Sequence, residues 1–346
     1  MSVTSWFAPE REAQLRTWVS ATALGLHPAT LQLAAADASP RRYWRVQGPS
    51  GSRIVMDAPP AHNTMTPFLE VLARLRATGL HAPELLAQDV EQGFLLLEDL
   101  GTETYLRPLQ QADAVQADQL MRAAFQSLVT LQSRGVATGL PTYDEALIRR
   151  ELQLFPDWCV QREFGRSWTA QQQKYWDMVC AALVPAFAAQ PQVLVHRDFM
   201  PRNLMLPLQA GGAPGLLDFQ DAVQGPAGYD VASLLRDAFH SWDEERELDW
   251  AVRYWEAARK AGIAWSADFG ECWRAIEWCA LQRHLKILGI FCRLKHRDGK
   301  PHYAEDLPRF FAYATKTAAR YRELKPLLPL LEELRPGLTT TAVTLR

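Results

Sequence analysis

The sequence lacks any uninterrupted apolar run of about 18 residues, the length a helix needs to cross a bilayer, so no membrane span is expected. It has no Cys-x-x-Cys pair. Its five cysteines (Cys159, Cys180, Cys272, Cys279 and Cys292) are odd in number, which points to reduced structural thiols rather than a disulfide framework. The opening stretch MSVTSWFAPEREAQL lacks the basic-then-apolar order of a secretory signal, so the expected location is the cytoplasm. An excess of one charge is also missing. With 37 Lys and Arg against 39 Asp and Glu, the net charge of −2 offers nothing to a nucleic acid or an anionic membrane surface. No Gly-x-Gly-x-x-Gly phosphate loop occurs in the first hundred residues, and there is no internal repeat or low-complexity segment.

What is present is ordinary globular composition, 48% hydrophobic and 22% charged. At 346 residues the chain is too long for one compact core, so two lobes are the default. Residues 10–26 carry an amphipathic helical pattern. Three strand-like runs follow, LQLAAADAS, RRYWRVQG and SRIVMDAPP, separated by turn signals. TPFLEVLARLRATGL places Phe68, Leu72 and Leu75 on one helical stripe behind a Thr66 cap, and two further apolar runs, PELLAQDV and GFLLLEDLG, read as strands. After EDLG the texture turns helical, with patterns at 113–134, 143–164, 169–188, 229–240, 243–261, 267–295 and 303–324. The expectation is an α+β, two-lobed protein. Residues 1–100 form a small β-rich lobe, a hinge lies near 98–101, and 102–346 form a large helical lobe interrupted by one strand–loop–strand unit at 192–222.

That unit reads VHRDFMPRNLM, then LLDFQD. An Asp and an Asn five apart on one loop, with a second Asp at the end of the next strand, suit phosphoryl transfer, which needs positioning and charge neutralisation more than covalent chemistry. Asp198 would orient an acceptor hydroxyl. Asn203 and Asp218 would offer an amide and a carboxylate oxygen to Mg²⁺, which takes few protein ligands beside phosphates and water. The segment resembles the H-R-D-x-x-x-x-N loop and D-F-G strand end of the protein-kinase-like fold, here His196 to Asn203 and Asp218-Phe219-Gln220. Asp230 comes only twelve positions after Asp218, too close for the peptide-binding activation segment of a protein kinase, and Met200 stands where Ser/Thr kinases carry Lys.

The short form resembles the aminoglycoside phosphotransferase family over about residues 30–310. More narrowly, DASPRRYWR, IVMDAPP, GFLLLEDLG, HRDFMPRNLM, LLDFQDAVQGPAGYDVASLLRDA and LQRHLKILGIFCRL resemble the bacterial anomeric sugar kinases of cell-wall recycling, which phosphorylate N-acetylmuramate and N-acetylglucosamine at C1 with ATP. The resemblance implies a cytoplasmic kinase of a small amino sugar that uses ATP and Mg²⁺, binds neither nucleic acid nor membrane, and is expected to be a monomer. It implies that His196 and Asp230 support the catalytic loop. It also implies that adenine lies between the lobes against the main chain of Glu98–Leu100, and that Ser39, Arg41, Arg42 and Arg45 of SPRRYWR face the phosphates.

One departure stands out. Kinases carry a Lys on the third strand, paired with a helix Glu. Here Asp57 takes the Lys register while the helix offers Glu70; either Arg42 or Arg45 supplies the missing charge, the option the resemblance favours, or the nucleotide lies differently. For the acceptor, the candidates are Gln220, Asp221, Arg236 and Asp237, which follow the second Asp, and Arg283 and His284 in the basic stretch 283–300. Against a polycationic acceptor, residues 231–346 hold nineteen basic and sixteen acidic side chains, a surplus of +3, although much of 283–300 also reads as a solvated helix face. The Trp residues of the region, Trp242 to Trp278, are either sugar platforms or core. Two other readings stay open. One is a kinase of another small alcohol or an aminoglycoside; the other is a catalytically silent nucleotide-binding kinase fold, which the absent Lys would suit.

Overall fold

The computed structural model describes residues 9–36, 41–61, 64–209 and 211–337. In chain order the elements are α1 (Pro9–Ala21), β1 (His27–Ala36), β2 (Arg42–Gly48), β3 (Gly51–Asp57), α2 (Thr66–Ala77), β4 (Leu85–Asp89) and β5 (Phe94–Glu98). Then come α3 (Leu106–Gln111), α4 (Ala114–Arg134), α5 (Glu145–Leu152), α6 (Ala170–Ala188), β6 (Gln192–Val195), β7 (Leu204–Met205), β8 (Gly215–Leu216) and β9 (Val223–Pro226). The remainder is helical: α7 (Gly228–Leu235), α8 (Glu244–Lys260), α9 (Phe269–Asp298), α10 (Leu307–Arg320) and α11 (Leu327–Leu334).

The chain divides into two compact units, Met1–Arg107 with Arg202–Asp221, and Pro108–Pro201 with Ala222–Arg346. The division cuts the loop that the sequence assigned to one lobe, so Asp198 belongs to the second unit while Asn203 and Asp218 belong to the first.

In the first unit, an antiparallel five-stranded sheet runs in the order β1-β2-β3-β5-β4. Leu15 and Val19 of α1 pack with Leu31, Val46, Val55, Phe94 and Leu96 of the sheet, and this apolar burial fixes the strand register. Helix α2 buries Phe68, Val71, Leu72 and Leu75, the i, i+3, i+4, i+7 stripe of an amphipathic helix. Its cap is Met65, which makes no side-chain cap bond, rather than Thr66; Thr66 and Pro67 instead begin the helix, where a missing N–H does no harm. The β7–β8 hairpin joins this unit through Tyr105 N–H to Leu204 O (2.8 Å), Leu206 N–H to Glu103 O (2.9 Å) and Leu216 N–H to His81 O (2.8 Å).

In the second unit α9 is the central helix, buried on nearly every side between Ile276 and Leu288. Asp residues cap α9 and three helices around it: Asp268 for α9, and Asp113, Asp144 and Asp243 for α4, α5 and α8, each accept a main-chain N–H from the first turn. Thr169 and Gln172 close a capping box on α6. The helical pattern over 143–164 is two elements. Helix α5 ends at Leu152, and Phe155–Glu163 winds as a π-helix, because Pro156 has no N–H to continue the ladder. The 229–240 pattern ends earlier than periodicity suggests, at Leu235, and 303–324 opens with a 3-10 turn, Pro301–Asp306. Trp250, Trp265, Trp273 and Trp278 are core side chains. The five cysteines are buried and form no disulfide. Among the described residues no helix is long and apolar enough to cross a membrane.

Gly289 is where α9 meets the start of the π-helix. A Cβ there would sit 2.4 Å from the Leu154 main-chain carbon and oxygen. Because backbone cannot rotate aside, Gly289→Ala is expected to lower stability by roughly 1–3 kcal/mol, read as an earlier midpoint in denaturant unfolding followed by circular dichroism.

Candidate functional site

In the second unit, β6 pairs with β9 and delivers the chain to His196. Asp230, fully buried in the first turn of α7, accepts the main-chain N–H groups of His196 (2.7 Å) and Arg197 (2.9 Å). Burial pushes its carboxyl up to about 7, while those two N–H groups and the Arg283 cation act against the rise. Arg197 has φ 74°, a left-handed conformation that non-glycine residues seldom adopt. Its carbonyl accepts Nη1 of Arg283 (2.7 Å), and its own Nη2 reaches Oε1 of Glu151 (2.6 Å). Asp198 follows directly, half-buried, its N–H directed to Nδ1 of His196 (3.3 Å).

Glu151, on α5, collects a second set of donors. Oε1 also accepts Nζ of Lys286 (2.8 Å), and Oε2 accepts Gln282 Nε2 (2.9 Å) and the Tyr143 hydroxyl. Burial alone would raise this carboxyl, but the Lys286 and Arg197 cations outweigh it and hold the group down at about 2.

In the first unit, the hairpin brings Asn203 and Asp218 together. Leu217 N–H bonds Asn203 O (3.0 Å), and Asn203 Nδ2 lies 3.5 Å from Asp218 Oδ2. Phe219 packs tilted against Phe68 of α2 with centroids 4.9 Å apart, which anchors the strand end. Asp218 is exposed and has φ 61°; it and Arg197 are the non-glycine residues with positive φ among those described. Its other oxygen accepts Gln220 Nε2 (2.9 Å). Among the described residues no three His, Cys, Asp or Glu side chains gather as a metal cage. One carboxylate beside one amide is a hard-oxygen donor pair, which fits a Mg²⁺ held chiefly through substrate phosphates and water.

The same unit shows how the chain accommodates Asp57. In the β2–β3 register Arg42 stands opposite Asp57, and its Nη2 bonds Asp57 Oδ2 (2.8 Å). Arg11 of α1 bonds Oδ1 (2.9 Å). Arg45 forms a two-pronged pair with Asp99, 2.5 and 3.0 Å, and also donates to Gly101 O (2.7 Å). Glu70 pairs with Arg74 one turn away. Leu100 is buried, the N–H of Glu98 bonds Glu84 O (2.8 Å), and the Glu98 carboxylate accepts the Glu84 N–H (3.1 Å). Arg41 is half-buried, and Ser39 lies outside the described residues.

A model of the phosphotransferase enzyme family matches residues 30–269. The chain belongs to this family. As a member of it, the protein is a phosphotransferase that acts on an alcohol group. An N-acetylmuramate/N-acetylglucosamine kinase of Pseudomonas aeruginosa is 48% identical to it over 90% of both chains. One of the same name from Pseudomonas putida is 46% identical over 94% of this chain and 95% of its own. The choline kinase LicA from Streptococcus pneumoniae shares the fold, with a TM-score of 0.62 and 14% identity, over 90% of this chain and all (100%) of that one.

The phosphotransferase buries several residues that the sequence offered to the acceptor. Arg236 is 3% exposed and locked between Glu247 (3.1 Å) and Glu277 (2.9 Å). His284, 1% exposed, is stacked on Tyr313 with centroids 4.8 Å apart. Burial, with Arg236 and Arg283 nearby, pushes that imidazole well below its ordinary range, so it packs as a neutral ring. The expectation that these two touch a sugar therefore meets enclosed side chains. Arg283 is likewise buried on the Arg197 carbonyl, and Asp237 is buried with Phe239 N–H on its Oδ2 (2.9 Å). Gln220 is half-buried and Asp221 exposed. The stretch 283–300 is a solvated face only in its second half, since Arg283 and Lys286 point into the protein.

Glu151, Lys286, Tyr143 and Arg11 were not singled out by motif. The one available signal for Glu151 is that it shares a helical face with Ile148 and Leu152, both buried, where an acid requires partners. A depressed folded-state pKa gives stability that is present above the ordinary carboxylate value and is lost as pH falls. The stability advantage of the wild type over Glu151→Gln should therefore be full above about pH 5 and vanish as pH drops from 4.5 toward about 2, read by denaturant titrations across that range.

Proposed function

We propose that this phosphotransferase moves the γ-phosphoryl group of ATP to the anomeric C1 hydroxyl of N-acetylmuramate and N-acetylglucosamine, in the cytoplasm, as a step of peptidoglycan recycling. The observation that carries the reading is the 46–48% identity, over at least 90% of the chain, to kinases bearing those two substrates in their names. In this reading Asp198 accepts a hydrogen bond from the sugar hydroxyl and draws off its proton as the bond to phosphorus forms. Asn203 and Asp218 hold Mg²⁺, which when bound neutralises phosphate charge. The strained backbone at Asp218 supports a functional role there, since such conformations cluster where a side chain's position matters.

The missing strand Lys has a counterpart in charge. Arg11 and Arg42 against the single Asp57 leave a net +1 at the register where a Lys would stand. Arg42, with Arg41 and Ser39, is proposed to face the phosphates, while Arg45 fixes the 99–101 segment that meets the adenine through its main chain. Asp221, which is exposed, is the proposed contact to sugar hydroxyls. The retained Asp198, Asn203 and Asp218 speak against a silent fold.

The test is a product scan. Purified protein, Mg-ATP and a panel of amino sugars and aminoglycosides are followed by phosphorus and proton NMR. The expected products are 1-phosphates of both N-acetyl sugars, which lose the reducing end and are acid-labile, with no turnover of kanamycin-type compounds. A 6-phosphate product overturns the positional claim. Asp198→Asn should lower kcat by about 10²–10⁴ with ATP binding kept. Asp218→Ala should abolish turnover, and Asn203→Ala should raise the Mg²⁺ requirement; unchanged Mg²⁺ dependence in both removes them as ligands.

A further inference from the structure

Arg197 is held at its N–H, its carbonyl and its Nη2 by three different helices of the second unit. Asp230 of α7 takes its N–H, Arg283 of α9 donates to its carbonyl, and Glu151 of α5 takes its side chain. A left-handed arginine relaxes unless its surroundings over-determine it, and the next residue along the chain is Asp198. Of the three grips only the last is a contact between two side chains. Glu151 is also the only one of the three that ties α5 to α9, through Lys286 and Gln282.

We infer that Glu151 is a positioning residue for phosphoryl transfer: a built-in buried anion that captures the Arg197 guanidinium and thereby sets the backbone that aims Asp198. In kinases regulated by phosphorylation, an arginine of this kind gains its anion when a phosphate is added to a mobile segment. This chain has eleven residues between Asp218 and Asp230 and carries a permanent carboxylate instead, so its catalytic loop is set without any modification. Lys286 serves a different end. It bonds the same Oε1 of Glu151 from α9 (2.8 Å), so the carboxylate is held in place from a second helix while it holds Arg197. The inference rests on the assignment of Asp198 made above.

The experiment compares wild type, Glu151→Gln, Arg197→Met and the double variant with two readouts. One is steady-state kinetics with N-acetylglucosamine and ATP. The other is amide hydrogen exchange of peptides covering 194–200, which needs no acceptor. The expected result is a ten- to hundredfold fall in kcat for each single variant, with KM for ATP within about twofold. Exchange at 194–200 should be at least tenfold faster, while peptides from 276–288 keep wild-type protection. The double variant should be no worse than the poorer single one, because both break one contact. Should Glu151→Gln fail to fold, Arg197→Met breaks the same contact from the loop side and decides the matter by the same numbers. Wild-type kcat and wild-type loop exchange in the variants overturn the inference. So does a kcat loss fully accounted for by a smaller folded fraction. If the wild type turns over no amino sugar but the variants still loosen 194–200 selectively, the positioning claim survives and the substrate reading fails.

Discussion

A single peptide unit with the wrong hand organises the second unit. Arg197 at φ 74° costs on the order of 1–3 kcal/mol relative to an ordinary backbone conformation, and the loop keeps it only because buried groups converge on it. Asp230 can reach the His196 and Arg197 amides because α7 is itself pinned. Gly228 N–H bonds Gln190 Oε1 (3.0 Å), and the Ala227 carbonyl accepts Gln132 Nε2 (2.8 Å). Gln132 is held in turn by the Tyr254 hydroxyl (2.6 Å), which also accepts Trp265 Nε1 (3.1 Å). Each buried donor or acceptor in this series finds a partner, so no step relaxes cheaply, and the helices α4, α7 and α8 act as one frame for the loop.

The first unit solves an electrostatic problem of its own. A carboxylate buried in the third strand would be several kcal/mol out of place if left alone, and removing either arginine would expose that penalty. Two guanidinium groups from different directions, one cross-strand and one from α1, turn the deficit into a local surplus of positive charge. Arg11 adds apolar contact, its guanidinium lying 4.0 Å over the Phe94 ring. The N-terminal helix is thereby tied to the strand that faces the missing-Lys problem. Changing the charge of one strand residue has required a helix outside the usual strand–helix ion pair.

How much of this was legible in the sequence depended on whether the signal was local. The strands, the stripe of α2 and the Asp198–Asn203–Asp218 spacing are properties of contiguous residues, and they were readable; the cap of α2 was not, since Met65 rather than Thr66 takes that place. Asp230 was also readable, because a motif fixes its distance from Asp218. The partners of Arg197 were not, since Glu151 and Lys286 stand 46 and 89 positions away in sequence and look like ordinary helix-surface charges. The surroundings of Arg236 and His284 were not readable for the same reason, since Glu247, Glu277 and Tyr313, which enclose them, lie outside any motif. The early end of 143–164 was signalled by Pro156, but periodicity alone passes over a proline that a π-helical turn absorbs.

Gln220 shows how a departure from a motif can keep its purpose. A glycine after Asp-Phe gives the chain freedom at that point and contributes no side chain. Here the strain sits two residues earlier, at Asp218 itself, where glycine would remove the strain but also the carboxylate. The Gln220 amide reaches back to Asp218 Oδ1 and fixes the carboxylate's rotation, and Asn203 lies beside the second oxygen. With Phe219 locked on Phe68, a backbone that would otherwise relax is held from the side chains on either side of it. Substituting a rigidifying amide for a flexible glycine suits a kinase whose catalytic segment has no regulatory swing to make, and it agrees with an Arg197 whose anion is permanently in place.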